Sequence, residues 1–256
     1  MVTGLPLFRR HFQNFSENYM LIGGCACELT LMNDGGFRAT KDIDILVLLE
    51  TMNRSFAERF HDFILEGNYQ CYISKGDEKK HFYRFLAPPG SIYPHQLELL
   101  SRSLFPDFPN ISYTPLVQDR YVQSMSAIVL SDIYYHFARK HKVMRQELPC
   151  LDIEGLMVFK IAAYLNLRRQ QAEAPALVRS TDLHKHRNDV FRLLGSISPG
   201  LTISELPNEI RQDLIAFIEV FQPEHLEWRA ITQSLGIPET AAASLRKRFL
   251  NYFQLS

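Results

Sequence analysis

The sequence lacks any apolar run close to the roughly 18 residues needed to span a bilayer, so we expect no membrane among its partners. It also lacks a charged and then apolar leader, which favours a cytoplasmic location. It has no net charge, because 28 Lys and Arg residues balance 28 Asp and Glu residues. Bulk charge therefore does not indicate a nucleic-acid-binding protein, although a local basic patch is compatible with this balance.

The sequence has few cysteines, at positions 25, 27, 71 and 150. Cys25 and Cys27 are separated by one residue instead of the two typical of zinc sites, and no second close pair follows. In a cytoplasmic protein this pattern predicts reduced thiols rather than disulfides or a structural zinc site.

Strand and helix patterns alternate in the first part of the chain and give way to helices in the second. Strands are predicted at 19–24, 42–49, 69–74, 81–87 and 94–101, and helices at 7–18, 25–34 and 55–67. Further helices are predicted at 151–171, 180–197, 207–221 and 238–253, with Ser180 or Thr181 as the N-cap of the second. The sequence thus predicts an α/β (α+β) fold: a mixed sheet with flanking helices at 1–145 and a C-terminal helical domain at 146–256.

Two carboxylates, Asp42 and Asp44, stand one residue apart at the head of the apolar run 45–49. Side chains at i and i+2 of a strand point to the same face, so these two repel each other unless a cation lies between them. Hard cations such as Mg²⁺ prefer carboxylate and phosphate oxygens, and two such ions can clamp an in-line phosphoryl displacement. The pattern predicts a divalent-cation site that would also accept a triphosphate. The alternative is a strand-edge pair that faces solvent or a lysine such as Lys41.

Gly23 and Gly24 lie at a predicted strand-to-helix turn ahead of these acids. Glycines there let the backbone approach a ligand closely, and the helix N-terminus behind them favours an anion. No Gly-Lys-Ser/Thr follows, which excludes a P-loop, and a Gly-Gly turn can equally be structural. Glu98, within the apolar strand 94–101, is the candidate for a third carboxylate, with a solvent-facing position as its alternative.

The stretches "IGGCACELTL", "ATKDIDILV" and "QLELLS" together resemble the nucleotidyltransferase fold superfamily, whose signature is Gly-Gly or Gly-Ser, then Asp-x-Asp, then a third acid. The later stretches "SMSAIVLSDIYYHF", "LPCLDIEGLMVFKIAAYLNL" and "DLHKHRNDVFRLL" resemble its AbiEii/AbiGii branch, the toxins of bacterial abortive-infection toxin–antitoxin systems. The resemblance covers most of residues 19–197. It implies Gly23 and Gly24 as a phosphate-facing turn, and Asp42, Asp44 and Glu98 as ligands of Mg²⁺ or Mn²⁺.

The resemblance also implies three site residues in the C-terminal half. Lys160 would be a charge partner of the nucleotide, and Lys185 and Asp189 match the last motif, four residues apart on one helix face. Asp189 would hold Lys185 in place; the alternative is an exposed ion pair worth about 0.3–0.5 kcal/mol. The sequence departs from the family pattern at Cys25, where many members carry serine, and at Glu98, where the usual third acid is aspartate.

The segment 229–250 contains three consecutive cations, Arg246, Lys247 and Arg248. Its apolar helix, turn and basic helix resemble a helix-turn-helix, whose second helix would enter a DNA major groove. A helical pair packed on the C-terminal domain explains the same pattern, and a basic tail would also suit the phosphates of an RNA acceptor.

Together these features predict a Mg²⁺-dependent nucleotidyltransferase, with the NTP in a cleft between the two domains. It would transfer a nucleoside monophosphate to a hydroxyl of RNA, such as a tRNA end, or of a protein. The resemblance implies a toxin role, with a separately encoded antitoxin as a partner. Two alternatives stay open: a non-catalytic nucleotide-binding sensor of the same fold, and a DNA-binding regulator that uses residues 229–250.

Overall fold

The computed structural model describes residues 2–31, 37–38, 40–73, 80–103, 113–117, 125–203 and 205–255. The chain divides into two compact units, Met1–Asp152 and Ile153–Ser256. This division lies beyond the predicted boundary at 145/146. The reason is a hairpin formed by residues 142–151, whose second strand pairs with the sheet of the N-terminal unit.

The N-terminal unit is built on one mixed sheet of nine strands within the described residues. They are β1 (Tyr19–Ile22), β2 (Asp42–Val47), β3 (Gln70–Ile73), β4 (Lys80–Leu86), β5 (Gln96–Arg102), β6 (Tyr113–Val117), β7 (Met125–Leu130), β8 (Lys142–Arg145) and β9 (Leu148–Leu151). The main order is β3-β4-β5-β2-β1-β9-β8, and β7 pairs with both β5 and β6. Because β2 is parallel to β5 and antiparallel to β1, the predicted mixed sheet is confirmed.

In the part of the chain that the structure describes, four α-helices accompany this sheet: α1 (Leu5–Phe12), α2 (Gly23–Leu31), α3 (Arg54–Glu66) and α4 (Asp132–Lys140). An aromatic cluster joins α1 and α3 to β1. The ring of Tyr19 lies 5.7 Å from that of Phe8 and stacks on that of Phe56 at 6.1 Å, between ring centroids. The Asn53 side chain caps α3 by accepting from the Phe56 N–H. This packing fixes β1, which in turn pairs with the strand that carries Asp42 and Asp44.

The C-terminal unit is helical in the described residues, as predicted. Its helices are α5 (Ile153–Glu173), α6 (Ser180–Ser196), α7 (Asn208–Val220), α8 (Trp228–Leu235) and α9 (Ala242–Phe253). The ring of Phe191 lies 5.1 Å from that of Trp228 and 5.8 Å from that of Phe217, which joins three helices. The predicted N-cap of α6 is wrong, because the helix begins at Ser180 and the residue before it is Arg179. Among the described residues, no helix combines the length and apolar character needed to cross a bilayer.

Candidate active site

The register of the sheet places four residues in one row across adjacent strands. Arg84 on β4 is opposite Glu98 on β5, Glu98 is opposite Asp44 on β2, and Asp44 is opposite Ile22 on β1. Directly opposed residues of neighbouring strands present their side chains to the same face of a sheet. Asp42 precedes Asp44 by two residues and shares that face. The structure therefore brings the three predicted acids to one face and adds an arginine to them.

The Gly23 turn contacts this row, because β1 ends at Ile22 and α2 begins at Gly23. Gly23 has a φ of +66°, and a Cβ placed on it would lie 1.9 Å from Asp44 Oδ2. A Cβ on Gly24 would lie 2.9 Å from Thr40 Oγ1. Glycine is needed at position 23 for two reasons: the left-handed backbone and the close approach of the Asp44 carboxylate. The turn and Asp44 thus belong to one site.

Arg84 forms an ion pair with Glu98 that the sequence did not predict. Its Nε and Nη2 donate to Glu98 Oε1 at 3.0 and 2.5 Å. The side chains are 31% and 15% exposed, so the pair lies at the edge of solvent rather than inside the core. Arg84 stands fourteen residues before Glu98, and only the antiparallel pairing of β4 with β5 brings them together. A sequence signal for it would be a cation in the apolar strand next to the one that carries the third acid.

His95 is a second residue of this region that sequence analysis missed. Its Nδ1 lies 3.4 Å from Asp42 Oδ1, and the two side chains are 58% and 42% exposed. The main-chain N–H of His95 donates to the Lys41 carbonyl oxygen, which fixes the start of β5 beside the start of β2. The side chain of Asp42 is therefore at the surface, where a ligand can reach it.

The carboxylates suit a hard cation in type, although they do not yet surround one point. Their oxygens are the donors that Mg²⁺ and Mn²⁺ prefer. Among the described residues, the ligand atoms of Asp42, Asp44 and Glu98 do not all lie within 4.8 Å of one another. Glu98 Oε1 accepts both bonds from Arg84, and a glutamate side chain has enough torsional freedom to turn towards Asp44. The three residues supply the oxygen donors that a hard cation needs, and Glu98 would have to leave Arg84 to join Asp42 and Asp44 around one ion.

Cys25 follows the glycine turn, at the position where many proteins of the resembled family carry serine. It is fully buried. Burial is the largest cause of its raised pKa, and the nearby carboxylates of Asp44 and Glu28 raise this pKa further. The thiol is therefore neutral at ordinary pH and is unsuited to act as a nucleophile.

In the C-terminal unit, the structure pairs Asp189 with Lys160 rather than with Lys185. Lys160 Nζ lies 2.9 Å from Asp189 Oδ2, and the two side chains are only 5% and 1% exposed. Lys160 comes from α5 and Asp189 from α6, so the ion pair joins the two helices. Lys185 is exposed on α6. Lys160 is thus a partner of Asp189 that the sequence did not predict, and the pair agrees with the need of a buried lysine for a counter-charge.

The basic segment of α9 uses two of its three cations for packing. Arg246 Nε donates to the Phe221 carbonyl oxygen at 3.2 Å, and Arg248 Nη2 donates to the Ile197 carbonyl oxygen. Lys247 is exposed. A DNA-recognition helix needs its cations and polar side chains at the groove, so this arrangement disfavours the helix-turn-helix interpretation.

No protein-family model matches the chain, and no curated protein matches it significantly. Two solved structures are similar over most of its length. An antigenic nucleotidyltransferase-like protein from Paracoccidioides brasiliensis is 12% identical, with 89% of each chain covered and a TM-score of 0.43. The antibiotic-resistance factor ANT(2'')-Ia is 12% identical, with 85% of this chain and 92% of that chain covered and a TM-score of 0.39. Both likenesses are distant, so we base the function on this chain's own residues.

Proposed function

We propose that this chain is a metal-dependent nucleotidyltransferase that uses Mg²⁺ or Mn²⁺ and an NTP. The observation that supports it is the register Asp44↔Glu98 on parallel strands β2 and β5, with Asp42 on the same face and Gly23 against the Asp44 carboxylate. A glycine turn, two carboxylates of one strand and a third on its neighbour are what an in-line displacement at a phosphate needs. The fold by itself would not support this function.

Each residue of the site has a proposed task. Asp42 and Asp44 would hold the cations, and Glu98 would hold one of them. When bound, the cations would neutralise charge on the triphosphate and on the leaving pyrophosphate. The Gly23–Gly24 turn, at the start of α2, would let phosphate oxygens approach main-chain N–H groups. The acceptor hydroxyl oxygen would bond to the α-phosphorus while the bond from this phosphorus to the bridging oxygen breaks, so that pyrophosphate leaves and the hydroxyl proton passes to solvent.

Arg84 has a proposed task that follows from its contact with Glu98. When Glu98 turns to a cation, the guanidinium of Arg84 is left without that carboxylate at the edge of the site. A planar guanidinium binds phosphate oxygens well, so Arg84 would then pair with the triphosphate. The nucleotide contacts implied for Lys160, Lys185 and Asp189 stay predictions. The exposed ammonium of Lys185 suits such a contact better than the buried ammonium of Lys160.

The proposed acceptor and the proposed toxin role rest on the family resemblance and on the chemistry of nucleotidyl transfer. The acceptor would be an RNA, such as a tRNA end, or a protein side chain, in a cytoplasmic setting. A toxin role would require a separately encoded antitoxin. Growth arrest on expression of the chain, relieved by the Asp42→Asn/Asp44→Asn variant, would support that role.

The first experiment incubates the protein with Mg²⁺, each α-labelled NTP, and total bacterial RNA or protein. We expect label transfer to one acceptor class, abolished by EDTA. The Asp42→Asn/Asp44→Asn variant should lose at least about a thousandfold in rate, since several kcal/mol of charge stabilisation is removed. Asp62→Asn, which removes one exposed carboxylate from α3, is the matched control and should retain full activity.

Binding measurements with an NTP and with duplex DNA, made beside the transfer assay, separate the alternatives. Metal-dependent nucleotide binding without transfer would favour the sensor over the enzyme. Duplex DNA binding that falls steeply with salt and survives loss of Asp42 and Asp44 would favour the regulator. Absence of nucleotide binding would contradict both the enzyme and the sensor.

A further inference from the structure

The C-terminal unit contains a cavity of about 250 Å³ between α9 and the segment 197–202. With a water occupying about 30 Å³ in the liquid, this space has room for a polyatomic ion with an attached group. All the described residues that line the cavity belong to this unit. Its polar lining residues are Ser198, Thr202, Ser244, Lys247, Arg248 and Asn251.

The wall formed by α9 is rich in hydrogen-bond donors. Ser244, Lys247, Arg248 and Asn251 follow the spacing i, i+3, i+4 and i+7, so they share one face of the helix. Each offers at least one N–H or O–H donor, and two of them carry a positive charge. Among the described residues that line the cavity, none is an aspartate or a glutamate. The lining therefore favours an anion with several acceptor oxygens.

Arg248 is held in place on this wall. Its Nη2 donates to the carbonyl oxygens of Ile197 and, at 3.5 Å, of Gly195. Both bonds found for it among the described residues use Nη2, which leaves the donors on Nη1 and Nε for a ligand. A fixed guanidinium loses little conformational freedom when it binds, so it is a better anion donor than a mobile one. Lys247 next to it is exposed and adds a second cation.

Apolar groups complete the cavity. Leu201, with 59% of its surface exposed, and Pro199 lie on the opposite wall. Tyr252 also lines it, while its hydroxyl donates to Glu154 Oε1 at 2.6 Å and is engaged there. A ligand that carries a charged group and an apolar or planar group would use both kinds of wall.

We propose that this cavity is a binding site for a phosphate group, with Lys247 and Arg248 as its cations and Ser244 and Asn251 as additional donors. The phosphate would belong either to a free nucleotide or to the backbone of an RNA strand, because both present the same group. The described residues of this site belong to the C-terminal unit, whereas the acids of the sheet belong to the N-terminal unit. Its occupation would concern recognition rather than the transfer step.

A titration followed by ¹H–¹⁵N NMR of the full chain tests the site. Inorganic phosphate is added at constant ionic strength, with chloride as the compensating ion. We expect saturable shifts of the main-chain N–H signals of Thr202, Ser244 and Lys247. Lys247→Gln, which alters an exposed residue, should weaken binding about tenfold, the effect of losing one charge-assisted hydrogen bond. Arg169→Gln removes an exposed charge from α5 and should leave binding unchanged.

Further titrations identify the source of the phosphate and separate this site from the proposed transferase. The affinities of AMP and of a single-stranded RNA decamer are compared with that of phosphate. A much higher affinity for the decamer than for AMP would assign the site to RNA. Equal affinities for the decamer and AMP would assign it to a free nucleotide. The Asp42→Asn/Asp44→Asn variant should bind phosphate here as the unaltered protein does, whatever the outcome of the transfer assay. Shifts spread over the surface without saturation, or binding unchanged in Lys247→Gln, would overturn the proposal.

Discussion

Two acid–base pairs of this protein have similar chemistry and different surroundings. On the sheet, Arg84 Nη2 lies 2.5 Å from Glu98 Oε1, and the side chains are 31% and 15% exposed. Between α5 and α6, Lys160 Nζ lies 2.9 Å from Asp189 Oδ2, with exposures of 5% and 1%. A pair in contact with water can exchange one partner for a ligand, whereas opening a buried pair leaves a charge in a low dielectric. Burial, more than residue type, separates a candidate site from a structural contact here.

The largest effect is expected from Lys160→Met. This change removes the Lys160 ammonium from beside the buried Asp189 carboxylate, so we expect the C-terminal unit to lose about 3–5 kcal/mol of unfolding free energy. Urea unfolding followed by fluorescence measures it, because the one tryptophan of the sequence, Trp228, lies in that unit.

Two further variants decide whether charge is the cause. Lys160→Met/Asp189→Leu should recover part of the loss, since no unpaired charge remains. Lys185→Met, at an exposed position of α6, should change the unfolding free energy by less than about 0.5 kcal/mol. Equal losses in the single and double variants would contradict the buried-pair interpretation.

Gly23→Ala should lower the activity of the candidate active site around Asp44 without unfolding the protein. The new Cβ would collide with Asp44 Oδ2, which would have to move, and a displacement of about 1 Å can cost about a hundredfold in rate. The measurement is the rate of label transfer. Gly90→Ala is a matched control: Gly90 also has a positive φ, +78°, but nothing lies within 4 Å of the position that its new methyl group would occupy. Both variants share the backbone strain, and only Gly23→Ala should lose activity.

Arg84→Gln tests whether a cation can replace Arg84 as the partner of Glu98. If Arg84 competes with a cation for Glu98, its removal should tighten Mn²⁺ binding about tenfold, equivalent to about 1.4 kcal/mol. Calorimetric titration with Mn²⁺ measures this. Arg54→Gln, which breaks the exposed Arg54–Glu58 pair on α3, should leave Mn²⁺ affinity unchanged. Weaker Mn²⁺ binding in Arg84→Gln would mean that Arg84 positions Glu98 instead of competing for it.

The smallest effect concerns the cysteine thiols, whose reactivity reports how far solvent reaches behind the row of residues that contains Asp44 and Glu98. Cys25, Cys27 and Cys150 are buried, and Cys71 is half-buried. Burial is the main cause that raises the pKa of Cys150 to about 12, so this thiol stays neutral and unreactive up to about pH 9. Under native conditions we expect a thiol reagent to modify Cys71 first, and faster as pH rises from about 7 to about 9. Peptide mapping by mass spectrometry identifies the modified cysteine. Early modification of Cys25 would contradict its burial and show that solvent reaches the residues behind Asp44.

Much of the N-terminal unit was predictable from local patterns. The apolar run after Asp44 predicted β2, and its observed bounds, Asp42–Val47, begin at the first acid. The hairpin β8–β9 and helix α4 were missed, because short segments with mixed polarity give weak periodic signals. The Arg84–Glu98 and Asp42–His95 contacts were also missed, because each depends on strand pairing between residues far apart in sequence.

In the C-terminal unit too, the contacts between residues far apart in the sequence could not be predicted from local patterns. The lysine within the apolar stretch "LMVFKIAAYL" requires a counter-charge or a ligand, and the sequence offered only the nucleotide that the resemblance implies. The partner, Asp189, became evident only when α5 and α6 packed together. In α9, three cations in a row gave no indication that Arg246 and Arg248 would bind main-chain carbonyl oxygens of other segments.

The sequence by itself identified the residues that we propose for the chemistry: Asp42 and Asp44 on one strand face, a glycine turn before them, and Glu98 in another apolar strand. Those features depend on spacing along the chain, where the periods of strands and helices act. The tertiary structure alone decided which charges meet. It set Glu98 beside Asp44 and Arg84 through strand register, and it buried Lys160 with Asp189. Register and burial arise from packing between distant segments, and that packing determines whether a charged pair stays open to a ligand.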